Sequence, residues 1–422
     1  MGQVDTLVDH LFRREAGRMV AILTRIFGPA RLALAEDVVQ DVLCRALEVW
    51  KFRGVPENPS AWIVAAAKNR VVDILRREKT AGAFSRMFLD ANADDGMLVE
   101  QDMDAMFQPA AIKDGQLRMM FACCHPRIGE DAQIALVLQI LCGLGTGEIA
   151  AAFLATHAAI EKRVVRAKKI LAGSKRALEL DPADVVMRLP TVQHALYLLF
   201  NEGYHGANPQ LAIRVDLCRE AMYLTELLLD HPPARTGSSY GLAALMCLHA
   251  ARLPARANAA GGFVPMEFQD RSKWDQDLIL KGHSFLGKSA HGWEFGAYQI
   301  EAAIASVHAS APRIEETDWA AVVTLYDSLS RIKPSAVVAL NRAIAVGQHK
   351  GPERGLEEVR AIAGREDLLG YPFYWATLGE FELRAGRQGL ALPNFQKAEA
   401  LARNPFERAH YSARADTCCR ER

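Results

Sequence analysis

Apolar residues return along most of this chain at intervals of three and four, the spacing of one buried face of a helix. From Val4 to Phe27 the run is Leu7, Val8, Leu11, Val20, Leu23, Ile26 and Phe27, closed by Gly28 and Pro29. A second helix follows, with Val38, Val42, Leu43, Ala46, Leu47, Val49 and Trp50 on one side and Asp37, Gln40, Asp41, Arg45 and Glu48 on the other. Gly54, Pro56 and Pro59 break it, and Ser60 is the expected N-cap of a third helix. That helix turns Ile63, Ala67, Val71, Ile74 and Leu75 inward and Lys68, Asn69, Arg70, Asp73, Arg76, Arg77 and Lys79 outward.

After Thr80 the period fails, and residues 81–112 read as an acidic, flexible linker that lets its neighbours be positioned separately. Helical spacing resumes over 115–124 and 130–141. Thr146 then caps a short helix over 147–153, residues 154–156 turn, and a further helix starts at His157. Its apolar stripe is Ile160, Val164, Ala167 and Leu171, and the opposite stripe carries His157, Glu161, Lys162, Arg163, Arg166, Lys168 and Lys169. Two short helices about a three-residue turn, the second basic outside, form the helix-turn-helix arrangement that enters a major groove. From about Leu180 to the end the pattern stays helical without a sustained basic face. Within it, 336–362 and 374–402 approach degenerate tetratricopeptide-like repeats, although their spacing drifts. The fold class expected is therefore all-α: residues 1–80, 113–175 and 180–422 as helical domains, with 81–112 between the first two.

Composition changes this picture little. A chain of 422 residues that is half hydrophobic exceeds one ordinary core, and its formal net charge of zero hides basic stretches at 68–79 and 161–176 and an acidic one at 90–104. The eight cysteines include two adjacent pairs, Cys123-Cys124 and Cys418-Cys419, with no CxxC spacing. That usage fits a reduced, cytoplasmic protein, and Cys123, Cys124 and His125 lack a second ligand pair for zinc. The amino terminus has no apolar run of signal-peptide or membrane length. No metal or cofactor is expected.

The stretch AEDVVQDVLCRALEVW followed by NPSAWIVAAAKNRVVDILRRE resembles region two of extracytoplasmic-function sigma factors, group IV of the sigma-70 family. The helix-turn-helix resembles their region four and follows in the right order, and the carboxy-terminal half resembles the helical, tetratricopeptide-like extension of a subset of them. The resemblance implies a bacterial initiation factor that binds core RNA polymerase and promoter DNA. It places Asp37, Gln40, Asp41 and Arg45 against polymerase, and Trp62, Lys68, Asn69, Arg70, Asp73, Arg76 and Arg77 at the minus-ten element. Thr156, His157, Glu161, Lys162, Arg163, Arg166, Lys168 and Lys169 go to the minus-thirty-five element. The chemistry agrees: a cationic face beside an aromatic and an amide supplies phosphate attraction, stacking and a base-edge hydrogen bond.

The carboxy-terminal half also holds two polar clusters, Glu202, Tyr204 and His205, and Gln269, Asp270, Arg271, Trp274 and Asp275. Sequence proximity does not make a catalytic pocket, and no phosphate loop, nucleophile elbow or metal spacing appears, so no enzyme is expected. Helix caps and bridges between packed helices account for such residues. This half would then regulate the rest by touching a protein partner or a neighbouring part of the same chain. The alternative is a helical ligand-binding or enzymatic module, holding a small molecule near Tyr204, His205 and Trp274, fused to a helix-turn-helix.

Overall fold

In the computed structural model the described residues are 2–80, 103–153, 155–174, 176–205, 213–256, 264–291 and 295–420, and among them there are helices and turns but no strand. Most of the linker, at 81–102, and Leu154 lie outside them, as do the side chains of Leu7, Val8, Lys79 and His205. The chain divides into two compact units, residues 1–199 and 200–422.

Unit 1 opens with α1 (Gly2–Phe27), α2 (Leu32–Arg53) and α3 (Pro59–Thr80). Gly54 ends α2 in a positive-φ conformation, its amide bonded to the Trp50 carbonyl. The cap of α3 is Asn58, whose Oδ1 accepts from the Ala61 amide at 3.0 Å. Ser60, the expected cap, instead donates its hydroxyl to Glu15 at 3.0 Å. Glu15 is buried and also takes Arg18 at 3.0 Å, so the hydroxyl joins a buried charge that needs partners more than a helix end needs a second cap.

Next come α4 (Pro109–Cys123), α5 (Glu130–Ile140), α6 (Thr146–Ala152) and α7 (His157–Ala172). They share a core with α1, whose Met19, Ile22 and Leu23 are wholly buried, as are Met119, Met120 and Leu136. Each such side chain contributes roughly 1.5–3 kcal/mol when removed from water. The seat is close: a Cβ on Gly17 would stand 2.1 Å from the Leu141 carbonyl oxygen. Gly143, at φ +62°, lets the α5–α6 turn pass Arg13. Arg13–Glu148 at 3.1 Å and Arg25–Asp114 at 2.7 Å bridge the same seam. Helix α8 (Pro182–His205) carries the chain from unit 1 into unit 2. Its Arg188 is buried and caps α4 by donating to the Phe121 carbonyl at 3.2 Å.

Unit 2 begins with α9 (Val215–Asp230), α10 (Gly237–Ala250), α11 (Gln276–Ser289) and α12 (Ala297–Ser310). It continues with α13 (Trp319–Ile332), α14 (Ala336–Lys350), α15 (Pro352–Arg360), α16 (Pro372–Arg384), α17 (Gln388–Ala400) and α18 (Pro405–Arg420). Side chains cap the starts: Thr236, Asp275, Asp318 and Ser335 each accept from the amide three residues on. The apolar residues form successive cores between sequence neighbours: Ile300, Val322 and Val338 join α12 to α14, Leu340, Val359 and Phe381 join α14 to α16, and Phe395 with Ala415 joins α17 to α18. This neighbour-on-neighbour burial is that of a helical array.

Candidate functional site

The outer face of α2 carries the first candidate set. Leu32, Ala35, Val38, Val39, Val42, Ala46 and Trp50 are buried, whereas Asp37, Gln40, Asp41 and Arg45 are all exposed. One residue departs from the expected pattern: Leu47 was assigned to the apolar stripe and is 52% exposed, and Phe52, in the last turn of the same helix, is 83% exposed. The packed stripe of α2 is narrower than its apolar residues, because its neighbours α1 and α3 cover one side only. The exposed face is thus a polar set with an apolar edge. Asp41 pairs at 3.2 Å with Arg70 of α3 rather than with Arg45, an exposed contact that stabilises little but ties the two candidate surfaces together.

On α3, Ile63, Ala67, Val71 and Leu75 are buried, and Asn69, Asp73, Arg76 and Arg77 are exposed. Trp62 is half-buried, its ring 5.6 Å from Trp50 in an edge-on contact, and Trp50 in turn meets Phe12 at 5.4 Å. Trp62 therefore closes an aromatic core with one side and keeps only part of its surface open. Lys68 is half-buried and ion-paired with Asp104, a carboxylate from the short helical segment at 103–106 that sequence spacing does not connect to it.

The buried stripe of the second helix is the expected one, whereas Thr146, expected as the cap before the first, is instead the first residue of α6, and Leu154 of the expected turn lies outside the described residues. Ile160, Val164, Ala167 and Leu171 are the buried stripe of α7, and Thr156 caps it by accepting from the Ala159 amide at 3.3 Å. Thr146 begins α6 and bonds the His157 imidazole at 2.7 Å, which fixes the two helix starts across the turn. Thr156, His157, Glu161, Lys162, Arg163, Arg166 and Lys169 are exposed. Lys168 is half-buried and turned to Glu36 at the start of α2, 2.6 Å away, so it belongs to the seam with α2 and not to the open stripe. Arg163 lies 3.4 Å from Asp131. Beside it a cleft of about 450 Å³ runs between α7 and the start of α5, lined by Arg127, Arg163 and Arg166 and by Glu130 and Asp131. Arg127 sits alone in a turn with no periodic signal, which is why the sequence did not flag it. Behind this face Cys123 and Cys124 are buried, and burial pushes the Cys124 thiol up to about 12, chemistry of packing rather than of ligation.

The two polar clusters of the carboxy-terminal half come together in unit 2. Asp270 and Asp275 are caps, accepting from the Ser272 and Leu278 amides at 3.1 and 3.0 Å. Tyr204, Gln269, Arg271 and Trp274 instead gather around residues that no motif or spacing singles out, Arg252, Arg256, His249 and His308.

Residues 11–80 match the family Sigma-70 region 2, and residues 188–290 match a family of unknown function, DUF6596. An uncharacterized protein of Rhizobium meliloti (strain 1021) is 38% identical over 386 residues, which cover 91% of this chain and 90% of that one. No solved structure matches. The exposed polar face of α2 and the cationic face of α3 lie inside the stretch that matches Sigma-70 region 2, and the chain belongs to one family with the Rhizobium protein.

Proposed function

We propose that the chain directs transcription initiation as a group IV factor: α2 docks on core RNA polymerase, α3 engages the minus-ten element and α7 reads the minus-thirty-five element, in the cytoplasm. The observation that carries this is the exposure of Asp37, Gln40, Asp41 and Arg45 together on a helix whose opposite face is buried, inside the region 2 match. Asp41→Arg places a cation in that set and removes the partner of Arg70. It should weaken capture of core polymerase at least tenfold, and unchanged capture by the folded variant removes α2 from the interface.

On α7 the roles divide by position. His157, Glu161, Lys162 and Arg163, near the start of the helix, reach base edges, while Arg166 and Lys169 follow the backbone. Arg163→Ala should change which upstream base is preferred, at about 1–3 kcal/mol for the pair it reads. A footprint that weakens uniformly with no change of preference assigns Arg163 to phosphate instead. Arg76 and Arg77 supply sequence-independent attraction in the same way, so removing Arg77 should lower promoter binding on all sequences and flatten its salt dependence.

Unit 2 regulates these steps within the same chain as a tetratricopeptide-like array. Two helix pairs support the repeat reading, α14 with α15 and α16 with α17, each pair closing over small residues, Gly347 and Gly355 in the first and Gly379 in the second. Such arrays present an extended surface for a partner or a neighbouring domain, and tethering keeps that surface at high effective concentration. The sigma-70 family consists of non-enzymatic initiation factors, and a catalytic role for unit 2 forms no part of this reading.

A further inference from the structure

Near the start of unit 2 two guanidinium groups approach one indole. The Arg252 carbon lies 5.4 Å and the Arg271 carbon 4.9 Å from the centre of the Trp274 ring, while a third, Arg256, stands 3.7 Å over Tyr204. Among the described residues neither Arg252 nor Arg271 has a carboxylate within ion-pair distance. Clustered cations of this kind are costly to hold away from water unless something offsets them.

Arg271 and Arg256 have structural employment. Arg271 donates to the carbonyls of His308 and Ala311, at 2.8 and 2.7 Å, and so closes the end of α12, and Arg256 donates to the Tyr204 carbonyl at 2.9 Å at the end of α8. Arg252 differs. Only its Nε is engaged, by Gln269 Oε1 at 3.3 Å, and Gln269 is itself anchored by donating to the Val264 carbonyl at 2.9 Å. The two terminal amino groups of Arg252 make no hydrogen bond among the described residues, and the residue is half-buried. Around it the Trp274 Nε1–H and the Nδ1 atoms of His249 and His308 are buried with no partner among the described residues. Both imidazoles are held neutral: burial first, then the neighbouring arginines, lower each to about 3.

We propose that Arg252 holds a small oxyanion, the carboxylate or phosphate group of a metabolite, in a fork of its two terminal amino groups beside Trp274, His249 and His308. A planar guanidinium fixed through Nε presents its remaining donors in the geometry of a two-oxygen ligand, and the surrounding aromatic walls exclude water. The other cations raise the attraction at this point while committing their own donors elsewhere. Unit 2 is on this inference a ligand-binding domain as well as an array, a conclusion that does not depend on the polymerase or promoter assignments.

The test uses the full chain titrated separately with inorganic phosphate and with succinate, followed by calorimetry and by imidazole NMR of His249 and His308. Saturable binding of at least one is expected, with the His249 and His308 signals moving along the same isotherm. Preference for phosphate or for succinate then identifies the group. Arg252→Gln should weaken that binding about 10- to 100-fold, the worth of charge-assisted hydrogen bonds, and Arg252→Lys, which keeps the charge and the fold but not the fork, should fall between. Binding of neither anion, equal binding by wild type and Arg252→Gln, or binding that leaves both histidine signals in place would overturn the site.

Discussion

Replacing Gly17 by leucine should detach α1 from the rest of unit 1. A Cβ there would lie 2.1 Å from the carbonyl oxygen, 2.7 Å from the carbonyl carbon and 3.0 Å from the Cα of Leu141. All three are backbone atoms, so no rotamer change relieves the overlap, and either the helix or the α5–α6 turn must move. Movement uncovers Met19, Ile22 and Leu23. The expected cost is at or above the upper end of the roughly 1–3 kcal/mol of ordinary overpacking. Because the chain has two units, a single melting temperature is a poor readout, and amide exchange resolved along the sequence is a better one. Amides of α1 and of residues 141–145 should exchange faster while those of α14 to α18 stay protected. Gly389→Leu, at a position with nothing within 4 Å, is the matched control and should leave exchange unchanged. Protection of α1 equal to wild type in Gly17→Leu would mean that α1 is not seated on this turn.

What the sequence made legible follows the range over which each physical effect acts. The α7 stripe of Ile160, Val164, Ala167 and Leu171 was readable because a helix buries by its own period and four successive turns agree. The exposure of Asp37, Gln40, Asp41 and Arg45 follows from the same period on α2. Leu47 was misread because an apolar residue at the right interval is buried only if a neighbour covers it, and coverage is a tertiary fact. The choice between Asn58 and Ser60 as a cap turned on Glu15, a buried carboxylate from another helix. Lys168 shows the same limit: its period put it on the outer stripe, and Glu36, more than a hundred positions away, drew it aside. The gathering of Tyr204, Arg252, Gln269, Arg271 and Trp274 had four of its five members visible in two polar clusters, but neither cluster held Arg252, which lies in the turn after α10.

Phe381→Ala should produce the largest loss in unit 2. Phe381 is 2% exposed at the centre of the core that joins Leu340, Leu356 and Val359 to α16. Its ring fills the space that two glycines leave open: a Cβ on Gly347 would meet its Cζ at 2.3 Å, and one on Gly355 would meet its Cε2 at 2.7 Å. Gly355 also approaches Gly347 so closely that its added Cβ would be 2.8 Å from the Gly347 Cα, which means the two backbones are already in contact and cannot close further over a missing ring. The cavity left by alanine therefore persists, and the cost should fall at about 3–5 kcal/mol, the range for deleting a buried phenyl group. Since successive cores in the array are built between neighbours, the break should be local, loosening α14 to α16 before α9 to α12. The functional consequence separates the roles proposed for the two units. Capture of core polymerase, which rests on α2, should stay within a factor of two, whereas promoter output should change by a larger factor if unit 2 sets it. Output equal to wild type from a variant whose α14 to α16 amides exchange freely would remove the array from the regulation of transcription.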